Sequence, residues 1–328
     1  MYLASANQRT VNTTEYTKYY TSYGFVNSYR SRRINQLLEN ESYYHKTFGT
    51  NITIEKMKKF QTDYYDIAAE VFVPILLETL KNAYPTGVPA TGETELLYMS
   101  IEALKAWNES DARWIMDKDL IAPTIFNVWL EIYQNFTFLD EFEDANVNIG
   151  GRVAYLTDYL EYLTRYNQTS KWFDSISTSG TTENASMIML MALNETMEVL
   201  STDFENFNDW LWRNFHIMDI QYLQGLVPAF NMPKYGCSGS SRTLNVASGY
   251  FIHSGPCMRL IVDFEKLVNQ ELYSGYISIP GGQSGNPLSS HYDDNYQIWK
   301  NNDYYQILFP RNISAYPLNK IYSTVIFS

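Results

Sequence analysis

Ser284, Ser289, His291, Asp293 and Asp294 fall within one short stretch near the C-terminus and carry the side-chain types of a Ser-His-Asp hydrolase. Members of such a triad have to converge from separated elements, and these share a single loop, so the triad reading is rejected. No G-x-S-x-G elbow marks any serine as a nucleophile. The four histidines, His45, His216, His253 and His291, are scattered along the chain and form no metal-ligand motif. The better reading of the stretch is architectural. Gln283, Asn286, His291, Asp293 and Asp294 are expected to satisfy backbone and side-chain groups where the loop packs into the core, with Arg259 and Asp263 as partners.

The elements that must carry these residues can be read from pattern. Gly281, Gly282 and Gly285 between Pro280 and Pro287 exclude helix and central strand, so 280–294 is a shaped loop. Upstream, Ile34, Leu37 and Leu38 make the stripe of a short amphipathic helix. Residues 53–83 read as one long helix, capped by Thr53 and bent at Pro74. Further helices are expected over 95–107, 119–133, 153–166 and 185–200, with Met187, Met189 and Met191 as core filler. After Pro233, short hydrophobic runs alternate with turns, as strands do. The chain thus divides into 1–50, a strand and an arginine-bearing helix; 51–225, mostly helical; and 226–328, β-rich. The fold class is α+β. Cys237 and Cys257 bracket paired-strand patterns at 242–252 and 258–264. A disulfide there would close a loop of about twenty residues, worth roughly 3 kcal/mol; two buried free thiols fit the sequence equally well.

The order of motifs carries a resemblance. Gly255-Pro256-Cys257-Met258-Arg259-Leu260-Ile261-Val262-Asp263 is followed by Pro280-Gly281-Gly282-Gln283-Ser284-Gly285-Asn286-Pro287-Leu288-Ser289-Ser290-His291-Tyr292-Asp293-Asp294, and then by Trp299. This series resembles the end of the β-subunit of the penicillin acylase (penicillin amidase) family, which are N-terminal-nucleophile amidohydrolases. Further matches run through the chain. Tyr2-Leu3-Ala4-Ser5-Ala6-Asn7-Gln8 resembles the family's G-Y-L-x-x-A-N-N, with Met1 for the glycine. Tyr29-Arg30-Ser31-Arg32-Arg33-Ile34 resembles Y-R-x-R-R-I, and Trp210-Leu211-Trp212-Arg213-Asn214-Phe215-His216 resembles W-x-W-G-x-x-H.

The resemblance implies an αββα sandwich with a large helical insertion, of which this chain supplies the later strands and helices. It implies that Asn7, or Gln8 in a shifted register, donates its side-chain amide to the oxyanion of a tetrahedral intermediate. Arg30 matches the arginine that lies near the nucleophile, whereas Arg32 and Arg33 read as solvated or ion-paired. The family attacks with a Ser, Thr or Cys made N-terminal by self-cleavage, its own α-amine acting as base. Neither Met1 nor Tyr2 is such a group, so the nucleophile and most of the acyl pocket are expected upstream, on the α-subunit and the N-terminal part of the β-subunit. The chemistry needs no cofactor. A structural Ca²⁺ occurs in the family, and Glu15 is the nearby carboxylate to hold it.

Composition limits the alternatives. The chain has 328 residues, 45% of them hydrophobic, which is enough for a packed core. A net charge of −12 argues against nucleic acid or an anionic membrane as partner. No apolar run reaches the roughly 18 residues that span a bilayer. N-glycosylation sequons begin at Asn12, Asn40, Asn51, Asn108, Asn135, Asn167, Asn184, Asn194 and Asn312. They point to an extracytoplasmic glycoprotein, or to a chain simply rich in Asn, Ser and Thr. Two functions follow: part of an amidase acting on a small-molecule amide, or a non-catalytic glycosylated binding protein on the same scaffold.

Overall fold

The computed structural model describes residues 2–9, 25–49, 51–252 and 255–308. Helix α1 (Tyr29–Phe48) ends where Gly49 takes φ 67° and returns its N–H to the His45 carbonyl. The expected helix over 53–83 is two. Thr53 caps α2 (Ile54–Gln61) by accepting from the Lys56 N–H, and Asp66 caps α3 (Ile67–Ala83) by accepting from the Ala68 N–H. The chain breaks between them because Tyr65 bridges to Ile115 and the Asp66 N–H bonds the Trp114 carbonyl at 2.9 Å. Tertiary pairing overrides the helical period there, and Pro74 rides inside α3 without ending it.

Next come α4 (Glu95–Glu109) and α5 (Ala122–Asp144), the latter with Pro123 in its first turn, where a missing N–H costs nothing. A 3₁₀ turn (Gly150–Leu156) leads into α6 (Thr157–Tyr166), and Asn184 caps α7 (Ala185–Asp203). Helices α3, α4, α5 and α7 enclose one core. At its centre Trp129 is fully buried, stacks on Tyr133 at 5.2 Å, and donates its indole N–H to the Met189 carbonyl at 3.0 Å, fastening α5 to α7. Met189 belongs to this core, but Met187 and Met191 are exposed. A step of two residues turns a helix by roughly 200°, so alternate methionines cannot share a face.

A short helix, α8 (Trp212–Phe215), introduces the strands. One sheet has β1 (Ile217–Met218) between antiparallel β2 (Tyr235–Gly236) and parallel β3 (Phe251–Ile252). The second has β4 (Arg259–Val262), β5 (Gly275–Ser278) and β6 (Tyr305–Ile307), all antiparallel, with Arg259 opposite Ser278 and Gly275 opposite Ile307. Two five-residue helices intervene, α9 (Phe264–Val268) and α10 (Tyr296–Lys300). The fold is mixed helix and small sheets, in keeping with α+β. Two expected strands are shorter or missing. Of 242–252 only Phe251 and Ile252 pair, since Ser240, Thr243 and Asn245 close turns on one another. Residues 2–8 form no strand.

Candidate active site

The side chains at the start of α1 take alternate duties. Tyr29 is fully buried and donates to the Thr157 carbonyl at 3.3 Å. Arg32 pairs with Glu161 at 2.7 Å, and Arg33 grips both oxygens of Asp63 at 3.0 and 2.7 Å while lying over the Tyr65 ring. The Ser28 N–H and hydroxyl both donate to Asp158. With its neighbours tied to α6 and to the 62–66 break, Arg30 is held at a fixed place. Arg32 and Arg33 are structural ion pairs.

Arg30 Nη2 donates to Asn7 Oδ1 at 2.8 Å. Arginine has donors only, so the atom of Asn7 that faces it must be the oxygen. The amide nitrogen is thereby turned away, available as a donor. Asn7 takes φ 62°, a left-handed conformation that Asn tolerates better than most side chains, and the Val26 N–H bonds its carbonyl at 3.3 Å. The neighbouring Gln8 is engaged differently. Its Oε1 accepts from the Ala6 N–H at 2.5 Å, and its Nε2 donates to the Ala4 carbonyl at 3.4 Å. Of the two registers, it is Asn7 whose amide nitrogen meets no acceptor among the described residues. Partial burial lowers the Arg30 pKa, and arginine stays charged all the same.

Arg30 stands between two hollows of different character. On one side is a groove of about 380 Å³ between α1, α2 and residues 3–6, walled by Leu3, Ile34, Leu37, Leu38, Met57 and Phe60. On the other is a cavity of about 790 Å³ between α1, α5, α8 and the 240–250 loop. Asn127, Glu131, Gln134, His216, Arg242 and Tyr250 line it. Arg242 pairs with the fully buried Asp66 at 3.0 Å and donates to Asn127 at 2.6 Å, and the Tyr250 hydroxyl donates to Glu131. His216 is fully buried, its ring 4.4 Å from that of Trp212, and neither ring nitrogen has a hydrogen-bond partner among the described residues. Burial pushes its pKa down to about 3. From sequence, His216 has no role beyond its motif. The one usable signal was a histidine held at fixed spacing from two tryptophans.

The glycine-rich loop lies elsewhere and is mostly exposed: Gln283, Asn286, His291, Asp293 and Asp294 all face solvent. It is held by its own turns and not by burial in the core. Ser284 Oγ accepts from the Asn286 N–H, Ser289 Oγ from the His291 N–H, and His291 Nδ1 lies 3.0 Å from Asp294 Oδ2. Both hydroxyl oxygens thus accept from backbone N–H groups of the loop itself. Gly282 is required because a Cβ there would overlap the His291 carbonyl, and Gly281 packs against the Tyr222 hydroxyl. Gly285 has open space around it. Arg259 and Asp263 are not partners of the loop. Arg259 donates to the Trp299 carbonyl and to Asn245 Oδ1, and Asp263 caps α9.

Cys237 and Cys257 are both free thiols, the first buried and the second exposed, so the bridge is not formed. Cys237 is turned inward among Met218, Ala247, Ile252 and Trp299, away from any surface partner. Glu15 lies outside the described residues. Among the described residues no group of three or more His, Cys, Asp or Glu side chains could hold a metal ion, and no helix is long and apolar enough to cross a membrane.

Curated proteins yield no match to this chain. The sequence profile of the penicillin amidase family, by contrast, matches residues 1–314, and it takes in Asn7, Arg30, the Trp-containing segment before β1 and the glycine-rich loop. The chain belongs to the penicillin amidase family.

Proposed function

We propose that this chain supplies the oxyanion-stabilising side of an amidohydrolase that cleaves linear amide C–N bonds through an acyl-enzyme. The observation that carries the reading is the Arg30–Asn7 hydrogen bond, which fixes an amide donor with its nitrogen outward. A donor aimed in advance at developing negative charge is worth a few kcal/mol, because nothing has to reorganise as the tetrahedral intermediate forms. Arg30 is the positioning residue. The attacking Ser, Thr or Cys, with its α-amine as base, comes from the N-terminal nucleophile segment of the same enzyme, and the helices and strands here form the later part of an αββα sandwich. Family membership supports both statements. In the enzyme assembled with that segment, Asn7→Ala lowers kcat by about 100-fold or more with the fold intact. Turnover near that of the parent would remove Asn7 from the mechanism.

A second reading, a glycosylated binding protein without catalysis, draws on the sequons at Asn40, Asn51, Asn167 and Asn194, all of which are exposed. Both readings place the chain outside the cytoplasm. They separate on one result: hydrolysis of an amide by the assembled protein excludes the second, and absence of hydrolysis with glycans present at these sites excludes the first.

A further inference from the structure

Helix α6 carries Tyr159, Tyr162 and Tyr166, whose spacing of three and four puts them on one face. That face is turned outward, away from buried Leu160, Leu163 and Thr164, and the three tyrosines are 42%, 53% and 68% exposed. The Tyr159 and Tyr162 rings lie 6.2 Å apart and within 9° of parallel, and Tyr166 follows 5.8 Å beyond Tyr162. Arg165 lies over the Tyr166 ring at 5.3 Å and still leaves most of that residue open. A contiguous row of exposed aromatic rings marks a docking surface.

Helix α6 stops at Tyr166, and the next three residues, Asn167-Gln168-Thr169, form an acceptor sequon in a surface turn. The Ser170 N–H closes that turn on the Asn167 carbonyl at 3.0 Å. Asn167 and Thr169 are exposed, and neither side chain has a hydrogen-bond partner among the described residues. The other described sequons are placed differently. Those at Asn40, Asn108, Asn135 and Asn194 begin inside helices, and the Thr137 and Thr196 side chains of the last two are buried. Asn184 caps α7. Asn51 lies in a loop, but its Thr53 caps α2.

We propose that Asn167 is N-glycosylated and that its glycan folds back along α6, the first pyranose rings stacking on Tyr166 and Tyr162. The transfer joins Asn167 Nδ2 to the anomeric carbon of a lipid-linked glycosyl phosphate donor. The bond from that carbon to the phosphate oxygen breaks, the phosphate leaves with the electron pair, and one amide proton is released. A pyranose presents C–H groups on its face and hydroxyls on its rim, which match the apolar face and the hydroxyl of a tyrosine. Attachment one residue from Tyr166 makes the contact intramolecular, at an effective concentration on the order of millimolar, so even weak stacking is populated. The proposal rests on the placement outside the cytoplasm given above, and not on catalysis.

The test uses the protein purified from its native host, with Asn167→Gln and Asn51→Gln made in the same host. Mass spectrometry of its peptides reads the occupancy of each sequon. Tetranitromethane followed by peptide mapping reads the nitration rates of Tyr162 and Tyr166. The expected result is a glycan on Asn167, with nitration of both tyrosines about fivefold faster in Asn167→Gln and unchanged in Asn51→Gln. A glycan on Asn167 with no change of rate in Asn167→Gln overturns the docking, as does an equal rise in both variants. Asn167 unmodified in protein recovered outside the cytoplasm overturns the proposal alone. Recovery of the protein only from the cytoplasm overturns the placement, and the proposal with it.

Discussion

The helices from Ile54 to Asp203 and the short strands from Ile217 to Ile307 are held by different means. The helical region has a continuous aromatic core: Phe72, Phe126, Trp129, Tyr133, Phe138 and Phe173 are all fully buried, and Tyr133 stacks between Trp129 and Phe173. Among the described residues, the cluster buried in the strand region is small: Met218, Cys237, Ala247, Ile252 and Trp299. Polar ties supply the rest. Buried Arg259 bonds the Trp299 carbonyl and Asn245, Arg242 bonds Asp66 on the helical side, and the Gly239 and Asn245 N–H groups bond the Met116 and Asp63 carbonyls. Apolar burial is non-directional and makes a stable platform, whereas hydrogen bonds fix relative position. Arg30, His216 and the polar cavity lie along the seam between the two regions, where position matters most.

The comparison can be broken first at the platform. Trp129→Ala is expected to lower the free energy of unfolding by about 3–5 kcal/mol in urea titration, through lost apolar contact and the cavity left behind. Arg259→Met acts on the other region and leaves the Trp299 carbonyl and Asn245 Oδ1 without their donor. Its expected cost is smaller, about 1.5–3 kcal/mol by the same titration, as for hydrogen bonds from a charged group. If Arg259→Met proves as costly as Trp129→Ala, the division between platform and seam is wrong.

Acid probes the seam at His216, and rising pH probes the helical region at Glu141. Burial holds His216 down at about 3, so the folded state favours the neutral ring. The stability this gives is present above the ordinary histidine value and is lost as pH falls through 6.5 toward 3. Glu141, near the end of α5, is pushed up to about 8 by burial and by its hydrogen bond with Asp140, so the folded state favours the protonated acid. That contribution is present at low pH and is lost as pH rises from the ordinary carboxyl range through about 8. Thermal melts of His216→Phe and Glu141→Gln against pH are expected to flatten the acid limb and the alkaline limb respectively. Little change in either limb would detach these groups from the stability profile. The smallest effect is chemical. Burial pushes the Cys237 thiol up to about 12 while Cys257 is exposed, so iodoacetamide should label Cys257 in the folded protein and Cys237 only after unfolding.

How much of this was legible in the sequence depends on the range of the interaction responsible. Helices with a local signature were placed closely: 95–107 became Glu95–Glu109, and 185–200 became Ala185–Asp203 behind its Asn184 cap. The break at 62–66 was missed because it depends on a pairing with Ile115, far along the chain. The strands were overextended for the same reason. A run such as 242–252 has the right composition, but Ser240, Thr243 and Asn245 close turns before a partner strand can pair. The site divides likewise. Asn7 and Arg30 came from motif order, and the structure adds the hydrogen bond that joins them. His216 and the cavity needed α5, α8 and the 240–250 loop to be assembled, which no local pattern encodes.

The central claim is that Arg30 acts through Asn7, and a double-mutant cycle on kcat in the assembled enzyme tests it most directly. Asn7→Ala and Arg30→Met each lower kcat, while KM for the amide changes little. In the Asn7→Ala background, Arg30→Met then has little further effect, because there is no amide left to orient. Losses that simply add would mean that the two residues work independently and would contradict the account.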